Sequence, residues 1–103
     1  MRIEVLYFDG CPNHAPTVER VKQIAGDLGL QIGVEEMNVT SVDEAQRLRF
    51  LGSPTVRVNG IDIEPSAQGR TNYGLSCRVY SGLSGLPPDD LIVAALQAPA
   101  QPA

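Results

Sequence analysis

Hydrophobic positions along the chain fall into short blocks whose period changes from block to block. Ile3, Val5, Leu6, Tyr7 and Phe8 form a near-continuous apolar run that stops at Asp9-Gly10. A run of that kind, closed by a turn pair, predicts a central strand covered on both faces. Val18, Val21, Ile24, Ala25 and Leu28 then recur at helical spacing, with Glu19, Arg20, Gln23 and Asp27 on the opposite face. Pro12 and Pro16 suit the first turn of that helix if it starts at Asn13, and Gly29 suits its end. From about Gln31 to Val39 a second strand is predicted. Its alternation slips at Glu35-Glu36, which points to a bulge or an exposed edge.

Ser41-Val42-Asp43-Glu44 has the form of a capping box, so a short helix is expected from Val42 to about Phe50. Ala45, Leu48 and Leu51 would face inward and Gly52 would close it. Val56-Arg57-Val58 and Ile61-Asp62-Ile63 alternate on either side of Asn59-Gly60, the strongest short hairpin signal. Val56 and Val58 should share a face, with Ile61 and Ile63 alongside. Pro88-Asp89-Asp90 opens a last helix whose acidic first turn complements the dipole, with Leu91, Ile92, Ala95 and Leu96 as its buried stripe. Residues 65–87, rich in Gly, Ser and Asn, show no clear period. Loops of that length are unusual and often functional. Within this one, Leu75 to Tyr80 reads as a short strand or a lid folding back. Residues 98–103 read as a frayed tail.

The expected order is β-α-β-α-β-β-α: an α/β fold with a mixed four-stranded sheet flanked by helices, in one domain over 1–97. At 103 residues there is enough chain for one core, not two. The 43% hydrophobic and 19% charged content is that of an ordinary soluble domain. A net charge of −4, with one lysine and seven arginines, argues against general nucleic-acid binding, which needs a basic face. No apolar run is long enough to span a membrane, and Glu4 and Asp9 interrupt any leader-like opening, so the expected compartment is the cytoplasm. Nothing in the sequence calls for a cofactor.

The candidate chemistry is concentrated in Asp9-Gly10-Cys11-Pro12-Asn13-His14. A strand that feeds a helix through a cysteine brings the sulfur toward unpaired N–H groups and the positive end of the helix dipole, which favour thiolate. His14, three residues on, is either a partner of that thiolate, as base or cation, or a plain surface histidine. Asp9 is either a turn residue bonding the Gly10-Cys11 backbone or a proton donor. Cys77 is the second thiol. Beside it, Arg78 could lower a thiol pKa or hold an anionic group of a substrate. Tyr73 and Tyr80 flank that stretch, as pocket walls or as solvated loop residues. In a reducing compartment two cysteines point to catalysis, redox sensing or metal binding more than to a permanent disulfide.

The strand–Cys–helix start at Phe8 to Val18, the element order, and Ser53-Pro54-Thr55 before a hairpin strand together resemble the thioredoxin superfamily. The resemblance covers residues 2–64 and 88–97, with 65–87 as an insertion carrying Cys77. It implies a cis Pro54 lying against Cys11; Ser53 and Pro54 there, and Arg78 on the reading of its own residue type, are the candidate substrate-binding residues. The superfamily's Cys-x-x-Cys is here Cys11-Pro12-Asn13-His14, so either Cys11 works as a monothiol or its partner comes from elsewhere, with Cys77 the only candidate. Three functions follow as expectations. The first is thiol–disulfide exchange on a protein disulfide or a small thiol, with Cys11, His14 and Cys77 as catalytic residues. The second is binding of a soft metal or organomercurial by Cys11 and Cys77. Phe-Asp-Gly-Cys-Pro-Asn and Gly-Leu-Ser-Cys-Arg-Val-Tyr are similar to stretches of small thioredoxin-like proteins, some labelled alkylmercury lyase. The third is a binding module without redox activity.

Overall fold

The computed structural model describes residues 1–80 and 84–97. The tail expected over 98–103, and 81–83 of the expected insertion, lie outside the described residues. The sheet is mixed and four-stranded. Strand β1 (Ile3–Tyr7) lies between β2 (Val34–Asn38) and β3 (Thr55–Val58), and β4 (Ile61–Asp62) follows β3, in the order β2-β1-β3-β4. β1 and β2 are parallel, from Ile3 opposite Val34 to Tyr7 opposite Asn38. β1 and β3 are antiparallel, from Ile3 opposite Val58 to Leu6 opposite Thr55.

The continuous apolar run of β1 is explained by its two covered faces. Ile3 and Val5 pack with Val18, Val21 and Ile24 of helix α1 (His14–Asp27) and with Ile92 and Leu96 of helix α3 (Asp89–Gln97). Leu6 points the other way, into a smaller cluster with Val39, Phe50 and Ala45 of helix α2 (Val42–Leu48). Each large aliphatic or aromatic side chain withdrawn from water this way contributes about 1.5–3 kcal/mol. The β1–β2 register runs without a bulge, and Glu35 and Glu36 are both exposed, so the slip in alternation marks an edge strand.

Helix ends follow local chemistry. α1 stops in a pair of reversed bonds, Gly29 N–H to the Gly26 carbonyl and Leu30 N–H to the Ala25 carbonyl, both the lengths of ordinary hydrogen bonds. The Ser41 hydroxyl caps α2 by accepting from the Glu44 N–H at 3.1 Å. The Glu44 carboxylate reaches back to the Thr40 hydroxyl at 2.6 Å. The end of α2 corrects the expectation at Gly52. Arg49, with φ +56°, takes the left-handed position, and the Phe50 N–H closes on the Ala45 carbonyl at 2.8 Å. Asn59 and Gly60 both have positive φ, as a tight hairpin turn requires. Val58 faces Ile61 across the turn, but Ile61 is exposed while Ile63 is buried.

Residues 65–80 and 84–87 are more ordered than their composition suggests. Pro65–Ala67 form a single 3-10 turn. Further on, Cys77 makes a parallel bridge to Ser53, and Tyr80 an antiparallel one to Ser84. No helix among the described residues is long and apolar enough to cross a membrane.

Candidate functional site

The β1–α1 connection is two successive turns. In the first, the Cys11 N–H returns to the Phe8 carbonyl at 3.3 Å, with Gly10 at φ +86°. That conformation belongs to the third position of a turn that favours glycine. In the second, the His14 N–H returns to the Cys11 carbonyl at 3.3 Å, over Pro12 and over Asn13 at φ −96°, ψ 0°. Proline presets the backbone for that turn. Cys11 is therefore held in the lead-in to α1, ahead of the cap residue Asn13, and is half-buried. The Asp9 side chain does not close the turn, which the Phe8 carbonyl does. Its carboxylate accepts from the Asn38 amide at 3.0 Å, tying the connection to the end of β2.

His14 is anchored sideways. Its ring stacks on Tyr7, with centroids 3.5 Å apart and planes 6° from parallel. Its Nε2 lies 2.7 Å from a Glu36 carboxylate oxygen. A carboxylate accepts only, so Nε2 carries the hydrogen and Nδ1 is the other ring nitrogen. Neither of the two readings anticipated this Tyr7–His14–Glu36 set. Alternation in β1 and β2 could have found it, because Tyr7 and Glu36 fall on the α1 face of neighbouring strands.

Ser53 and Pro54 sit at the start of β3, and the peptide bond between them is cis. Because Leu6 pairs with Thr55, this start of β3 lies at the same end of the sheet as the connection carrying Cys11. The backbone of Ser53 is not open to a substrate. Its N–H donates to the Ser76 carbonyl at 2.8 Å, and its carbonyl accepts from the Arg78 N–H at 3.0 Å. Gly52 explains how the two segments come so close. A Cβ there would stand 2.9 Å from the Ser76 carbonyl oxygen and 3.1 Å from the Arg78 Cβ, and its φ is +118°.

From Cys77 to Tyr80 the side chains alternate: Cys77 and Val79 are exposed, Arg78 and Tyr80 buried. The expected substrate-facing role of Arg78 is thus corrected. Its guanidinium is turned inward, 1% exposed, and donates to both Asp62 carboxylate oxygens at 2.6 and 2.8 Å and to Glu64 at 3.2 Å. Burial works against its charge, but the hydrogen bonds and charge of Asp62 outweigh this and hold its pKa above the ordinary guanidinium value. Its carbon also lies 4.3 Å over the Tyr80 ring. Tyr80 is neither a solvated loop residue nor a pocket wall. Its hydroxyl donates to the Pro54 carbonyl at 2.6 Å, and burial pushes the phenol well above its usual pKa. Asp62, Glu64 and Tyr80 are the fastening residues the sequence reading missed; the in–out alternation around Cys77 was the available signal. Beyond Tyr80, Gly85 backs directly onto the Asn13 side-chain amide.

The structure brings Cys77 to Ser53-Pro54 and brings Ser84-Gly85 to the start of α1. Both thiols are free. Among the described residues, no group of three or more His, Cys, Asp or Glu side chains is placed to hold a metal ion. Comparison with family models, curated proteins and solved structures returns no match.

Proposed function

We propose that this chain is a thioredoxin-like thiol–disulfide oxidoreductase, with Cys11 as nucleophile and Cys77 as resolving thiol. One observation carries the reading. Cys77 is bridged to Ser53 beside the cis Ser53–Pro54 bond, at the sheet end where β1 delivers Cys11. The element order, the cysteine between first strand and first helix, and the cis proline support the thioredoxin-like assignment.

In the first step the Cys11 thiolate attacks one sulfur of a substrate disulfide. A mixed disulfide forms, the substrate S–S bond breaks, and the departing thiolate takes a proton. In the second step the Cys77 thiolate attacks the Cys11 sulfur and expels the second substrate thiolate, leaving Cys11 and Cys77 bonded. The substrate has gained two electrons and the chain has lost two; two equivalents of an external low-molecular-weight thiol, or one protein dithiol, must reduce it again, leaving as their own disulfide. His14, with Nε2 engaged by Glu36, is the group we assign to proton exchange at Cys11. Exposure of Cys77 suits a thiol that must meet a mixed disulfide.

The test is mass mapping after exposure to oxidised glutathione as a model disulfide. An intramolecular Cys11–Cys77 bond is expected in the native chain, and a trapped mixed disulfide on Cys11 in Cys77→Ser. Equal, independent modification of both thiols with no intramolecular bond would overturn the pairing.

A further inference from the structure

Away from the thiols, on the α2 face of the sheet, a cleft of about 320 Å³ opens between the end of α2, the β3–β4 hairpin and residues 67–73. Its size is within the range of small-molecule sites. Arg49, Arg57 and Arg70 line it, with Tyr73, Gln68 and Asp62. Three of the eight cationic side chains of a chain with net charge −4 thus converge on one volume. The one carboxylate among them is already committed, since both Asp62 oxygens accept from Arg78.

Two features show that these arginines are set rather than scattered. Arg57 donates to the Arg49 carbonyl at 2.7 Å, and Arg70 uses its Nε on Asn72 at 3.2 Å, so hydrogen bonds fix their approach. Arg49 also occupies the left-handed end of α2, where glycine is the unstrained choice, and so stands in the cleft lining at a conformational cost. Arg57 is half-buried, and burial draws its pKa below the ordinary guanidinium value despite the charges of Asp62 and Glu4. An anion in the cleft would add to those charges in stabilising its cation.

We propose that this cleft binds a small ligand bearing an oxyanion, a phosphate or a carboxylate, clasped by Arg49, Arg57 and Arg70 with Tyr73 along its wall. Planar guanidinium forks suit both groups by paired charge-assisted hydrogen bonds. The site stands independently of the thiol chemistry.

The test is an amide NMR titration of the full chain with inorganic phosphate and, separately, citrate, against sodium chloride at matched ionic strength. Amides of Arg49, Gly60, Arg70 and Tyr73 should shift together along one saturating curve. Arg70 is exposed, so Arg70→Gln should fold and should weaken binding by about tenfold or more. Arg49→Gly should also weaken it while raising the melting temperature, because the backbone strain is relieved. Lys22→Gln, on α1, should bind as the native chain does. Tighter phosphate than citrate assigns the ligand to the phosphorylated class, and the reverse to the carboxylate class. Shifts that fail to saturate, that chloride reproduces, or that survive Arg70→Gln unchanged would overturn the proposal.

Discussion

Removing the Arg78 guanidinium takes from Asp62, whose side chain is largely withdrawn from water, the cation that both its oxygens bind. A buried charge stripped of its partner costs about 3–5 kcal/mol, so Arg78→Met should lower the urea midpoint by a corresponding amount. Tyr80→Phe is gentler. It deprives the Pro54 carbonyl of a hydrogen bond, a loss of about 1 kcal/mol. The same variant has a pH signature. Burial raises the Tyr80 pKa, so the folded chain keeps a proton that the unfolded chain releases above about pH 10. Stability is full below that pH and falls as pH rises through it; chemical denaturation at pH 9 and 11 should show a shallower fall in Tyr80→Phe. Cys11→Ala removes a half-buried side chain from a turn and should cost under about 1 kcal/mol while abolishing disulfide exchange. Extensive unfolding in that variant would make the sulfur a core atom.

The elements differ in how openly the sequence announced them. β1, α1 and the hairpin were legible because hydrophobic period reports core contact directly: Val18, Val21 and Ile24 face the sheet as their spacing requires. The end of α2 was not. Glycine is the usual stop signal, and Arg49 adopted the left-handed conformation three residues before Gly52 was reached. Gly52 serves a different purpose, letting the 76–78 segment lie against the start of β3. That segment was illegible for a related reason. It is anchored by an ion pair, a phenol and backbone bridges, none of which leaves an apolar period. Gly52→Ala tests this close approach. Its φ of +118° and the 2.9 Å approach to the Ser76 carbonyl together should cost about 1–3 kcal/mol, and alkylation of Cys77 should change in rate as the bridge to Ser53 loosens. The Cys11 connection was legible as a turn, but not the stacking that holds His14 against Tyr7.

For the whole molecule, the two helices on one sheet face are joined outside the core by Arg20, which donates through both Nε and Nη2 to the Asp89 carboxylate. Hydrogen bonding from Arg20 in particular holds Asp89 below the ordinary carboxylate range. A depressed folded pKa stabilises above the unfolded value of about 3.9, and the contribution disappears as pH falls through the folded value. The difference in melting temperature between the native chain and Asp89→Asn should therefore narrow on acidification below pH 4. Both groups are exposed, so added salt should narrow it too. The fastening of residues 76–80 and 84–85 has a consequence for the continuity of the chain. Arg70 is exposed between Gly69 and Thr71, within reach of trypsin. A single cut there would leave a fragment still gripped through Arg78, Tyr80, the Ser53 bridge and α3. The nicked protein should elute as one species in native buffer and as two only in denaturant, its covalent break hidden by its own polar ties.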